Sequence, residues 1–282
     1  MSNPLLNDKH FNDPAQRSDT AARGTIDAQW NQSYDQLAHG TQAATTTGAM
    51  TMGGTVSATL VLFAFAIATA VYGWSRVSSE FLGFDATGAR VYGPVGSMGW
   101  LFGPMIVGFG LAMVTSFKPH LAKVLAIPYA LAQGLLLGFI SHYYNIAYPG
   151  IAVTAVLATA GVFAAMLVLY GFRVLRVTPR MTKAVIAATF GVLVVYLVNF
   201  VVGLFTSGPS MLAGSGPISI AVSVIVVGIA AFNLLLDFDF IEKGVANRLP
   251  KEYEWFAAFG LMVTIIWLYL ELLRLLSKLR DN

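Results

Sequence analysis

The chain has 282 residues, of which 56% are hydrophobic and only 11% charged, and its mean hydropathy is +0.69. Such a chain has too little polar surface to cover a soluble globule of this size, so the composition predicts a membrane protein. The absence of cysteine excludes disulfides, thiolate metal sites and a cysteine nucleophile, and the formal charge of +3 does not indicate nucleic acid, because the basic residues concentrate in short loops.

Residues 1–49 are rich in Asn, Gln, Ser, Thr and Asp and show no apolar periodicity. This composition predicts a disordered tail. No short apolar core follows a basic start, so we expect no cleaved signal peptide, and the first span must direct insertion. The predicted membrane domain therefore covers 50–282.

Seven apolar segments follow, each near the roughly 20 residues that a helix needs to cross a bilayer. They lie at about 54–74, 95–116, 121–142, 151–171, 184–204, 216–236 and 255–275. Most connections between them are short, and only Ser75–Pro94 and 237–254 are long enough to carry local structure. The sequence therefore predicts an all-α integral membrane protein built as a seven-helix bundle.

The basic residues in the connections predict the orientation of the bundle. The second, fourth and sixth connections hold most of them: Lys118, Lys123, Arg173, Arg176, Arg180, Lys183, Lys243, Arg248 and Lys251. Because Lys and Arg in short loops stay on the cytoplasmic side, the N-terminus is predicted to be cytoplasmic. The basic C-terminus then lies outside if the last segment spans, or returns inside if it is re-entrant, and the segment is long enough to span.

Two pairs of glycines four residues apart predict close helix packing. Gly99 and Gly103 lie in the second span, and Gly134 and Gly138 lie in the third. Small residues at this spacing let helix backbones approach each other within a membrane.

Asp237 and Asp239 directly follow the sixth apolar run, and two interpretations are open. They either stop the helix at the headgroups or, because the apolar character continues through Ile241, lie inside a helix that runs on to a cap at Gly244. An ionisable group at membrane depth points to function. Two carboxylates that both face the bundle would compete for a proton, which predicts a proton-operated latch.

Two glutamates in the last span are further candidates for an ion pathway. Glu254 begins the span on the side of Asp237, where it either interacts with that residue or complements the helix dipole. Glu271 comes 16 residues after Trp255, about 24 Å along a helix. It is therefore expected near the opposite face, out of reach of Asp237, where Arg274 at i+3 could pair with it on the surface.

No arrangement of Ser, His and Asp predicts nucleophilic catalysis, no phosphate-binding glycine loop follows a strand, and no HExxH pair is present. We therefore expect neither an enzyme nor a resident cofactor. The lipid bilayer is the expected environment and nucleic acid is not an expected partner.

The short-looped spans, the segment LLDFDFIEKG at the end of the sixth, and the terminal WFAAFGLMVTIIWLYLELLRLL resemble the Bax inhibitor-1 family in its bacterial, YccA-like branch. The resemblance covers about residues 50–282 and is most specific in the last 50. It implies six helices around a central seventh and a pH-sensitive calcium leak across a bacterial cytoplasmic membrane. The implied sensor is a hydrogen-bonded pair of aspartates, one ending the sixth span and one in the seventh.

Asp237 matches the first aspartate of that pair, whereas Thr264 stands where the second should be. Asp237 is then left to pair with Asp239, Glu254 or Glu271. Asp237 and Asp239 are also the candidate transient ligands of calcium, which takes oxygen ligands. The first function that follows is a proton-regulated cation pathway, and the second is a membrane interaction protein that modulates a membrane protease or another integral partner.

Overall fold

A computed structural model describes residues 48–84, 90–97, 99–205, 214 and 216–281. The tail predicted at 1–49 lies outside these residues except at its last two positions. The described part contains these elements: α1 Met52–Trp74, β1 Ser78–Phe84, β2 Arg90–Val95, α2 Gly99–Phe117, α3 Ala122–Ala147, α4 Ile151–Gly171, α5 Pro179–Phe205, α6 Pro217–Ala246 and α7 Glu252–Arg280. A short 3₁₀ turn, Pro119–Leu121, joins α2 to α3.

Seven helices in this part of the chain are long and apolar enough to cross a membrane, which confirms the predicted all-α membrane bundle. Several run beyond the predicted spans, because charged residues outside the hydrocarbon can continue a helix. The helix α6 extends ten residues past the predicted end, and α7 starts three residues earlier and ends five later. The last segment is therefore one continuous helix, long and apolar enough for a full span.

The first connection carries the local structure that its length allows. The strands β1 and β2 pair as an antiparallel hairpin, with Ser78 opposite Val95. The register shifts between Phe81 and Gly83, where Gly83 has a φ of +140° that L side chains rarely adopt. The hairpin lies at the end of the bundle that holds the C-terminus of α1.

The helix α7 is the centre of the bundle. In the most apolar stretch of α7, 67% of the residues are buried, whereas in the corresponding stretch of α5 only 6% are buried. It packs against α1, α3, α4 and α6, whereas α2 packs mainly on α3 and α5 mainly on α6. Side chains of α7 accordingly belong to each of the three buried apolar clusters of the described residues.

One of the two glycine pairs makes the predicted close contact. A Cβ on Gly134 would lie 2.2 Å from the carbonyl oxygen of Ala66, and one on Gly138 would lie 1.9 Å from that of Ala70. The backbones of α3 and α1 thus touch along these two turns. The prediction is wrong for Gly103 in α2, where an added Cβ meets nothing within 4 Å.

The two ends of the described chain lie at opposite ends of the bundle. Near the N-terminus, the Met50 backbone N–H donates to the carbonyl of Leu249 in the α6–α7 connection. At the C-terminus, Arg280 donates to the carbonyl of Pro149 in the α3–α4 connection, and the Tyr148 hydroxyl donates to Asp281. The bond to Asp281 raises the pKa of Tyr148 to about 12, so this phenol stays a donor through the neutral range.

Candidate functional site

The helix α6 carries Asp237 well inside the bundle rather than at a helix end. Ala246, the last residue of α6, comes nine positions after it, about 13 Å along the axis. The helix ends in a Schellman motif: Arg248 takes a φ of +51°, and the Leu249 N–H donates to the carbonyl of Gly244. Gly244 is therefore not the left-handed cap that the sequence predicts, although Asp237 does lie inside the helix.

The carboxyl of Asp237 lies against one turn of α7. A Cβ on Gly260 would lie 3.7 Å from Asp237 Oδ1, and the Thr264 side chain is a hydrogen-bonding neighbour of the same carboxyl. The Thr264 hydroxyl itself donates to the carbonyl of Gly260 at 3.3 Å. The structure thus places Thr264 beside Asp237, at the position where the family resemblance implies a second aspartate.

One oxygen of Asp237 has no partner. Although the residue as a whole is only partly buried, Oδ2 is inaccessible and accepts no hydrogen bond from any described residue. No basic side chain in the described ranges forms an ion pair with it. A buried carboxylate oxygen in this state is costly, and such an unsatisfied group calls for an explanation, such as a proton, an ion or a functional role.

Asp239 does not join this site, which corrects the expectation that both aspartates face the bundle together. Its carboxylate lies 2.6 Å from Lys243 Nζ, one turn along α6. Side chains two positions apart on a helix point about 200° away from each other. Asp237 and Asp239 therefore cannot share a proton or jointly hold a cation. Asp239 instead lines a groove beside Tyr170 and Glu242.

Glu254 does not pair with Asp237 either. It is 3% exposed in the first turn of α7, where its Oε1 accepts from the Thr51 N–H at 2.9 Å and the Thr51 hydroxyl at 2.8 Å. Gly54 makes room for it, because a Cβ there would lie 2.1 Å from the carboxyl. Glu254 therefore joins the start of α1 to the start of α7 by hydrogen bonds. This role is additional to the interaction with the helix dipole that its position predicts.

Glu271 forms the predicted pair with Arg274, but its carboxylate is buried and only the arginine side chain is exposed. The two side chains lie 3.3 Å apart, and Glu271 is only 2% exposed. Both of its oxygens accept from the Tyr196 hydroxyl of α5 at 2.9 Å, and Trp267 Nε1 donates at 3.3 Å. Glu271 comes seven positions after Thr264, about 10 Å along α7, so it forms its own polar layer.

A third polar layer lies nearer the C-terminus and contains a residue that the sequence analysis did not single out. Lys278 is 5% exposed, and its Nζ donates to Ser223 Oγ at 2.8 Å and to the Ser219 carbonyl at 3.2 Å. A lysine seven residues after Glu271 falls on the same face of α7. That spacing could have pointed to Lys278. No sequence pattern pointed to Tyr196 or Thr51.

The three layers follow one another along α7 at intervals of seven residues; the first and third contact α6, and the second contacts α5. Asp237 and Thr264 form the first, Glu271 the second, and Lys278 the third. Between the first two, Ala230 and Leu268 are fully buried and apolar. No group of three or more His, Asp or Glu that could hold a metal ion occurs among the described residues. Along α7, polar layers thus alternate with buried apolar side chains that fill the space between them.

Comparison with known proteins adds a family match. The family model described as Bax inhibitor 1 like matches residues 3–281, which include α6, α7 and every residue of the three layers. No curated protein and no solved structure matches the chain.

Proposed function

Because the chain belongs to the Bax inhibitor 1 like family, we propose that it is a pH-sensitive passive pathway for cations, gated by Asp237 between α6 and α7. The observation that carries the proposal is the buried Oδ2 of Asp237, which has no partner among the described residues. A carboxylate in this position needs a proton or a cation to compensate its charge.

The neighbouring threonine supports a proton-dependent contact. Since the Thr264 hydroxyl donates to Gly260, its oxygen is free to accept, and a protonated Asp237 would supply the donor that joins α6 to α7. A charged Asp237 cannot donate. Its charge, which one threonine hydroxyl cannot compensate in this buried position, would attract a cation. Protonation therefore closes the interface in this proposal, and loss of the proton loosens it.

We propose calcium as the cargo. Calcium takes oxygen ligands at flexible distances, and the site offers the Asp237 carboxylate, the Thr264 hydroxyl and the Gly260 carbonyl. The ion passes through and does not reside, because these three groups fall short of its usual six to eight ligands. The proposal assigns the chain no catalytic chemistry and no resident cofactor.

The proposed location is a bacterial cytoplasmic membrane, with the chain in the YccA-like branch and its N-terminus cytoplasmic. The end of the bundle where α6 connects to α7 carries exposed basic residues: Arg173, Arg176, Arg180, Lys183, Lys243, Arg248 and Lys251. Basic residues in short connections favour the cytoplasmic side. In this orientation the Asp237 layer lies nearer the cytoplasm and Lys278 nearer the outside.

The test is calcium flux into proteoliposomes at pH 6 and pH 8. The wild-type chain is expected to conduct more at pH 8, whereas Asp237→Asn stays in the neutral, closed form and conducts little at either pH. Asp239→Asn is the matched control, since Asp239 lies on another face of α6, and it should keep the wild-type ratio. Equal flux in all three proteins at both pH values contradicts the proposal.

A second candidate function is a non-transporting interaction protein that modulates a membrane protease or another integral partner. The observation that favours it is the packing of α5, of which only 6% of the most apolar stretch is buried. One side of α5 contacts α6, where Asn233 donates to Thr189 at 2.9 Å. Apart from Tyr196, which contacts Glu271, most described side chains of α5 are exposed and open to lipid or to a partner helix.

Photo-crosslinking from α5 separates the two functions. If the chain is an interaction protein, a crosslinker at Phe190, an exposed residue of α5, captures one defined membrane protein, and flux is absent. If it is a transporter, flux persists after deletion of residues 1–45, and the crosslinks go to lipid.

A further inference from the structure

A groove runs along the outside of the bundle between α1 and α4, which do not pack on each other. It consists of two adjoining cavities of about 880 and 790 Å³, both lined by Phe63, Phe163 and Ile265. Parts of α3, α6 and α7 form its floor. We call the whole the lateral groove, and it is separate from the Asp237 contact between α6 and α7.

One end of the lateral groove is charged. The side chains there are Tyr170, Arg173, Arg176, Asp239 and Glu242. Both acids are already engaged: Asp239 pairs with Lys243, and Glu242 accepts a hydrogen bond from the Tyr170 hydroxyl. The two arginines are exposed and form no ion pair with any residue that the structure describes. With Lys243 counted, this end is net positive.

The other end of the lateral groove is apolar. Its few polar side chains satisfy one another or the backbone: Ser141 and Tyr269 share a hydrogen bond of 2.6 Å, and the Thr159 hydroxyl donates to the carbonyl of Ala155 at 2.7 Å. The remaining lining runs past Ala160 to Trp74. Apart from the Trp74 indole at its far end, this half therefore offers a ligand no charged side chain and no unsatisfied hydroxyl, and it suits a hydrocarbon chain.

From this division we propose that the lateral groove is a binding site for one phospholipid. Its phosphate lies between Arg173 and Arg176, whose planar guanidinium groups match phosphate oxygens in geometry and charge. One acyl chain follows the groove past Ala160 toward Trp74. A partner helix would compensate both guanidinium groups only with acidic residues placed at this end, whereas every phospholipid carries a phosphate at the headgroup level, so the charge here favours the lipid.

The site also touches the moving parts of the proposed gate without depending on it. Leu261 and Ile265 line the groove on the face of α7 next to that of Gly260 and Thr264, about 100° around the helix axis, and neither Gly260 nor Thr264 lines it. Lipid binding is therefore measurable whether or not the chain conducts ions, and a failure of one proposal leaves the other standing.

The test measures phosphatidylglycerol bound to purified, delipidated protein by native mass spectrometry. The wild-type chain is expected to keep one lipid under conditions that strip the others. The double variant Arg173→Gln/Arg176→Gln should bind at least tenfold more weakly. Arg180→Gln/Lys183→Gln is the matched control, because both residues are exposed near the same connection and neither lines the groove. Circular dichroism and size-exclusion profiles confirm that the variants are folded.

A second pair of variants tests the acyl-chain half. Ala160→Trp fills the groove far from the arginines and should abolish retention, whereas Ala165→Trp, exposed on the same helix but outside the lining, should not. Diacylglycerol, which lacks the phosphate, and inorganic phosphate, which lacks the chains, should each fail to compete. Equal binding of diacylglycerol, unchanged retention in the double arginine variant, or a copurifying protein helix in place of lipid would overturn the proposal.

Discussion

At the scale of single residues, the direction in which a carboxyl group points decides which groups it can contact. Asp237 and Asp239 are two positions apart and look equivalent in sequence, yet one lies against Gly260 and Thr264 and the other pairs with Lys243. Helical geometry alone would have separated them, at about 100° per residue. The depth of Asp237 could be predicted from the apolar run around it, but its partner required the facing helix.

Glu271 allows a prediction at the same scale. Tyr196→Phe removes a hydroxyl that donates to both oxygens of this carboxylate. We expect the free energy of unfolding to fall by about 1 kcal/mol, a typical loss for such a bond. Unfolding in mixed micelles with increasing SDS measures the change.

Tyr143→Phe is the control for this measurement. Tyr143 lies 47% exposed on α3, and its hydroxyl makes no hydrogen bond that the structure describes. It should leave stability unchanged. If both variants shift the unfolding curve equally, the Tyr196 bond does not stabilise the buried carboxylate.

Helix contacts at the scale of elements depend on which face each small residue presents. The same glycine spacing occurs in α2 and α3, but only Gly134 and Gly138 of α3 meet a neighbouring backbone, that of α1. Two glycines four residues apart allow another helix backbone to come close. They do not show that such a helix is present. For the same reason the helix ends were hard to place, since α6 continues as a helix past its last apolar run.

Gly138→Ala tests this contact. The new Cβ would lie 1.9 Å from the Ala70 carbonyl oxygen, so α1 and α3 must move apart. We expect a loss of about 1–3 kcal/mol in the free energy of unfolding. Gly103→Ala, where the Cβ meets open space, should be neutral or stabilising by up to about 1 kcal/mol. A loss at Gly103 that matches the one at Gly138 would show that the cost is not steric.

At the scale of the whole molecule, hydropathy and the family resemblance predicted the arrangement of the helices better than any single motif did. The seven spans were predicted from apolar length, and the match to residues 3–281 confirms the family. Hydropathy reports depth but not orientation about the helix axis. It therefore missed the burial of Glu271 and Lys278, the Thr51–Glu254 contact and the lateral groove.

The absence of cysteine from the chain makes its topology directly testable. Single cysteines at Thr178 and Ser75, both exposed at opposite ends of the bundle, should react with a membrane-impermeant maleimide from opposite sides. In intact cells Ser75→Cys is expected to label and Thr178→Cys to label only after lysis. Labelling of both from outside would contradict seven full spans, and the reverse pattern would invert the proposed orientation.

The most direct test of the central claim follows the proton on Asp237 and the flux together. Infrared difference spectroscopy of proteoliposomes over a pH titration records the protonated carboxyl band that Asp237→Asn removes, while calcium flux is measured on the same samples. We expect the flux to rise as this band disappears, with a common midpoint for the two changes. A carboxyl band that persists while flux changes, or flux that is unchanged as Asp237 loses its proton, would contradict it.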